Sequence, residues 1–269
     1  MEIKEIKSSY NNEKRGIKAA YKKTKRSNRL EYKRRLSELG EQHIEDVAVN
    51  YTARGKRAPI NPPKRHILEE IGNAVSHGLG SLFAVFAIIF MAFYSDNVTE
   101  HFGAWVYFFG LFIMFTMSCL YHAFPHGSRV KRLFRRFDYS CIYLLIGATF
   151  APILLSYVGG VFGLVFFIIQ WAVIITGITL VGVFGPARLR FVHIPLYLIL
   201  GWCGIMFLPH MLRDDPWFAF YILGGGVIYS LGIIPFAMKN RVAHFVWHFF
   251  VLAGAVMQWV GVFKFIYIK

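Results

Sequence analysis

Val161-Phe-Gly-Leu-Val-Phe-Phe-Ile-Ile-Gln-Trp-Ala-Val-Ile-Ile-Thr-Gly-Ile-Thr-Leu-Val-Gly-Val183 runs for 23 residues without a charge. A helix needs about 20 apolar residues to cross a hydrocarbon core roughly 30 Å thick, so this stretch predicts a transmembrane helix. Six comparable runs lie near 72–94, 102–122, 139–157, 192–211, 217–237 and 243–264, which makes 161–183 the fourth of seven. Only Ser156-Tyr-Val-Gly-Gly160 joins the third to the fourth, so these two form a tight antiparallel pair. Pro152, Pro195 and Pro235 fall inside spans, as membrane helices tolerate. The predicted fold is all-α, a seven-transmembrane helical bundle.

Composition agrees. Of 269 residues 56% are hydrophobic and 17% aromatic, with a mean hydropathy of +0.45, too apolar for an ordinary soluble domain. The net charge of +15 is unevenly placed, with 18 of the 30 Lys and Arg in residues 1–66. The chain therefore divides into a basic, water-facing N-terminal arm (1–66) and a membrane domain (67–269). Residues 14–35 hold 11 Lys or Arg in 22 positions, with Glu31 the only acid. Ile17, Ala20, Tyr21 and Leu30 are too sparse there for a strong amphipathic stripe. Such a segment reads as a solvated, partly helical or disordered tail. It would be drawn to anionic headgroups by roughly 1 kcal/mol per cation. It contains no recognisable nucleic-acid module, so no nucleic acid is expected as a partner. Asn61-Pro-Pro-Lys64 forms a stiff junction. The first apolar run begins after residue 70, so no signal peptide is visible and the first span is expected to direct its own insertion. Cys119, Cys141 and Cys203 lie in apolar stretches without metal-binding spacing and read as small buried hydrophobes.

Orientation follows from the cations of short loops. Arg129, Lys131, Arg132, Arg135 and Arg136 lie between spans 2 and 3, Arg188 and Arg190 between 4 and 5, and Lys239 and Arg241 between 6 and 7. The alternate loops are poor in cations. With the arm, 27 of 30 cations fall on one side, which places the N-terminus in the cytoplasm and the C-terminus outside.

That orientation gathers scattered polar residues at one depth near the cytoplasmic interface. Glu70, Asn73 and His77 open the first span, Ser118 and His122 close the second, Asp138 opens the third, and His244 and His248 open the seventh. Ionisable groups at membrane depth are costly and usually mark a working site. His244 and His248 are four apart on one helical face and can grip one ion together. With His122 they make three imidazoles, a zinc set that leaves a fourth tetrahedral position open, as in catalytic sites. Zinc there would lower the pKa of water and polarise a carbonyl. The pair lacks the HExxH glutamate, since Phe245 stands in its place, so the general base must come from elsewhere. Asp138 is the best placed, then Glu70, and Ser118 can face the same cavity and hydrogen-bond an oxyanion.

Each residue also has a plainer reading. The histidine pair could be interfacial, His122 could cap its helix end, and Asp138 could be an N-cap. Their convergence from four spans favours the metal. His126 is set aside because Pro125 breaks the helix before it, and His193, opening the fifth span, is a reserve ligand.

Glu70-Ile-Gly-Asn73-Ala-Val-Ser-His77-Gly, Ser118-Cys-Leu-Tyr-His122, Asp138-Tyr-Ser-Cys-Ile-Tyr143 and His244-Phe-Val-Trp-His248, in that order, resemble the hemolysin III family. That family sits with the adiponectin and progestin receptors in one seven-helix (PAQR) superfamily. Leu196-Tyr-Leu-Ile-Leu-Gly-Trp202 and Gly224-Gly-Gly-Val-Ile-Tyr229 are supporting matches. The resemblance covers about 67–265 and leaves out the arm. It implies zinc on the cytoplasmic side, held by His122, His244 and His248, with Asp138 reaching the water on it, and a prokaryotic plasma membrane. It also implies kinship with alkaline ceramidases. The leading expectation is a zinc-dependent hydrolase of a lipid amide or ester, with Asp138 and Ser118 catalytic and Glu70, Asn73 and His77 supporting the ligands. The alternatives are a regulator of membrane lipids with a structural zinc, and a lytic pore. No span shows the polar stripe a pore requires.

Overall fold

The computed structural model describes residues 3–23, 35–40, 62–238, 240 and 242–268. The chain divides into two units, Met1–Pro63 and Lys64–Lys269. In the first, Ile3–Lys23 is a 21-residue helix, and 35–40 is a shorter helical piece. Ile3, Ile6, Tyr10 and Ile17 share one face of the long helix, so its apolar stripe begins upstream of the basic tract read from sequence. Residues 24–34 of that tract, Asn61 of the junction, and Lys239 and Arg241 lie outside the described residues.

The second unit contains seven helices long and apolar enough to cross a membrane: Ile67–Phe93, Val98–Ala123, Arg129–Val158, Gly160–Phe184, Arg190–Asp214, Pro216–Ala237 and Ala243–Tyr267. They are spans 1 to 7 below. Their starts carry local signals. The side chains of Asn97, Ser128 and Asp215 accept from the free backbone N–H groups of Glu100, Lys131 and Trp217, and Pro216 occupies a first-turn position where no donor is needed.

Span 3 departs most from the apolar pattern. It begins at Arg129, ten residues before the apolar run at 139, so the five cations assigned to a loop stand on its first turns. Apolarity marks only the length within hydrocarbon, whereas Ser128 sets where the helix starts, and Lys and Arg form helix readily. Asp138 therefore lies well inside the helix and is not its N-cap.

Span 3 ends in a π-helical turn, Ile153–Val158, after Pro152. Gly159, with φ 63° and ψ −171°, then turns the chain straight into span 4. Only glycine occupies that region without strain, which is why so short a join works. Span 5 changes pitch at a 3₁₀ segment, Cys203–Phe207, before its last helical piece, Leu208–Asp214.

Packing is apolar outward as well as inward. Phe93, Val161 and Val183 are largely exposed, while Gln170, Gln258 and Thr149 are buried among the helices. Exposed apolar surface of this extent marks a lipid-facing wall. Spans 1 and 2, 2 and 3, and 6 and 7 pack most extensively, and span 7 returns against span 1, which brings the histidine pair to the first two spans. Close approach depends on small residues: a Cβ on Gly110 would collide with that of Ala148, and one on Gly177 with the Tyr143 ring.

Candidate metal centre

Four spans supply the site. His122 closes span 2, one residue before its end at Ala123, and His244 and His248 stand on the first turns of span 7. The three rings form a nearly equilateral triangle, with centroid separations of 5.2 Å (His122–His244), 4.8 Å (His122–His248) and 5.0 Å (His244–His248). One ligand atom from each lies within 4.8 Å of the others; His122 and His248 are buried, and the half-buried His244 has its Nε2 buried. Among the described residues this is the group of three able to hold a metal ion.

Hydrogen bonding fixes which nitrogens remain free. Glu70 Oε2 lies 2.6 Å from His122 Nδ1, and Glu70 Oε1 lies 2.9 Å from Lys131 Nζ. A carboxylate paired in this way can only accept, so His122 donates through Nδ1–H and its lone pair stays on Nε2. Asn73 Nδ2 also lies 3.4 Å from His122 Nδ1, a longer contact that cannot compete with the carboxylate. Ser76 Oγ is 3.0 Å from the Asn73 carbonyl oxygen and 3.2 Å from His248 Nδ1. Its single proton goes to the carbonyl, which leaves the oxygen to accept from His248 Nδ1–H and again frees Nε2. His122 Nε2 and His244 Nε2 are buried with no hydrogen-bond partner. Buried polar atoms are ordinarily satisfied, so convergent orphaned imidazole nitrogens fit a metal ion.

His77 stacks on His248 with centroids 3.7 Å apart and meets Phe115 edge-on at 5.1 Å, wedged behind the triangle. Asp138 stands on span 3 and Ser118 on span 2, one turn before His122. They line, with His77, His244 and His248, one cavity of about 140 Å³. Its wall is mostly apolar, with Leu145, Ile146, Leu198 and Val251 among the lining and Thr149 and Gln258 as polar points.

All eight site residues read from the sequence are thus brought together. His193 is not among the candidate ligands. It is buried in span 5 with its Nδ1 3.0 Å from the Tyr143 hydroxyl, an internal partnership between spans 3 and 5. Two side chains that touch the site were missed. Ser76 carries no charge and sits inside a run read for other residues; its one signal is its position three residues after Asn73, on the same helical face. Lys131 was counted only as a loop cation.

A bundle of seven apolar helices with a buried three-histidine group defines a multi-pass membrane protein able to hold a metal ion at the end of its helices. The chain belongs to the haemolysin-III related family, whose model matches residues 65–259. It is 32% identical over 197 residues to Hemolysin-3 of Bacillus cereus, covering 71% of this chain and 89% of that protein. Against the Hemolysin-3 homolog of Bacillus subtilis (strain 168) the identity is 30% over 197 residues, covering 70% of this chain and 90% of that one. The monocyte to macrophage differentiation factor of Homo sapiens is 27% identical over 219 residues, 78% of this chain and 90% of its own, which sets the family within the PAQR superfamily. The bacterial relatives fit a prokaryotic plasma membrane.

Proposed function

We propose that the protein is a zinc-dependent membrane hydrolase acting on an amide or ester of a lipid, with its site at the cytoplasmic side. The observation that carries this reading is the junction of the histidine triangle with the apolar cavity that also holds Asp138 and Ser118. A metal needs only the ligands; a carboxylate and a hydroxyl beside an apolar wall add the parts of acyl transfer.

His122, His244 and His248 would hold the ion. Zinc supplies Lewis acidity, polarising a carbonyl and making water easier to deprotonate. Glu70 and Ser76 orient two of the ligands through their Nδ1 atoms. Asp138 removes the proton from the attacking water and passes it to the leaving nitrogen or oxygen as the acyl bond breaks. The Ser118 hydroxyl donates to the carbonyl oxygen as negative charge collects there. The apolar wall takes the acyl chain, which enters sideways from the bilayer. The cytoplasmic side is assigned from the cation count, and the arm's 18 Lys and Arg are assigned to anionic headgroups there.

The test is Asp138→Asn assayed on a panel of lipid amides and esters beside metal analysis. Retained zinc with turnover lowered about 10²–10⁴-fold supports the role of general base. Turnover equal to wild type contradicts it, and turnover absent from wild type as well would leave the metal structural, in a regulator of membrane lipids.

A further inference from the structure

Lys131 stands where an ordinary loop cation would not. It is 1% exposed, although it lies on the first turn of span 3 and its neighbours Val130 and Leu133 are exposed. A lysine so placed normally extends its ammonium to solvent, because stripping a charge of water is costly. Here the ammonium turns inward. It meets Glu70 Oε1 at 2.9 Å, donates to the Phe124 carbonyl at 2.9 Å and reaches that of His122 at 3.5 Å. It also lies 5.1 Å from the centre of the Tyr121 ring.

These contacts tie together three elements that the bundle must hold in register. Glu70 belongs to span 1, His122 and the Phe124 cap to the end of span 2, and Lys131 to span 3. The helix end at Phe124 leaves carbonyls without intrahelical donors, which a cation satisfies well. The same ammonium occupies one oxygen of Glu70, so the other is held for His122 Nδ1. One side chain thereby fixes both the backbone that carries His122 and the carboxylate that sets its ring.

We propose that Lys131 is a positioning residue of the metal centre, acting through Glu70 to hold the His122 ring with Nε2 toward the ion. The inference rests on the metal site assigned above. Groups behind metal ligands typically alter metal affinity by about 10–100-fold, and Lys131 belongs with them although it touches the ligand ring nowhere.

The experiment is a double-mutant cycle on detergent-purified full-length protein, reading zinc affinity by chelator competition and the visible spectrum of the cobalt-loaded form. Lys131→Met is expected to weaken zinc binding at least about tenfold and alter the cobalt spectrum, whereas Lys131→Arg recovers most of the affinity. In the Glu70→Gln background, Lys131→Met should add a much smaller loss than in the wild type, because the route through Glu70 is already gone and only the two carbonyl contacts remain. That double variant removes both buried charges together and so remains readable if Lys131→Met alone does not fold. Ser128→Ala, which removes the cap of the same helix, should lower thermal stability while leaving zinc affinity unchanged. Lys131→Met binding within twofold of wild type, or a full additional loss in the Glu70→Gln background, overturns the proposal. Wild-type protein that binds no zinc overturns the metal site itself, a separate result.

Discussion

Glu70 and His122, 52 residues apart, meet at 2.6 Å between Oε2 and Nδ1, so a carboxylate on span 1 sets the ring orientation of a histidine on span 2. The bond decides which His122 nitrogen faces His244 and His248. A histidine that ligates through Nε2 almost always donates its other N–H in this way.

Glu70→Gln should keep the fold and weaken metal binding by about 10–100-fold. The amide still reaches His122, but it can present its NH₂ group where a carboxylate could only accept. Chelator competition on the purified variant measures the loss. Unaltered affinity would show that His122 is oriented by packing alone.

His193→Phe should leave metal content unchanged. His193 pairs with Tyr143, whose buried hydroxyl would lose its partner at a cost of about 1–3 kcal/mol. The expected signature is a lower melting temperature with full metal occupancy. Loss of the metal in a well-folded variant would return His193 to the ligand set.

Gly110→Val should destabilise the bundle by about 1–3 kcal/mol or more, since its side chain would meet Ala148 where spans 2 and 3 cross. Gly182→Ala is the matched control, because nothing lies within 4 Å of a Cβ there. Thermal melts in one detergent compare the two, and equal melting temperatures would refute the close crossing.

The seven spans were legible because lipid demands long apolar runs whatever the detailed packing, and Val161–Val183 needs no context to be read. The candidate ligands were legible for the opposite reason, as isolated polar residues in apolar surroundings. The start of span 3 was not, since a charged helix outside the hydrocarbon leaves no hydropathy signal. Lys131 was hidden by the same cause: among five cations in eight residues, 129–136, sequence gives no sign of which one turns inward. Whether His193, the reserve ligand, joins the candidate set depends on which spans adjoin, and span 7 packs on span 1 while His193 faces Tyr143 of span 3.

The most direct test is elemental analysis of the detergent-purified protein beside His122→Ala, His244→Ala and His248→Ala. The account predicts one zinc ion per wild-type chain and its loss from each folded variant. Folded wild type without zinc, or variants that keep it in full, would contradict the metal centre and with it the hydrolase built upon it.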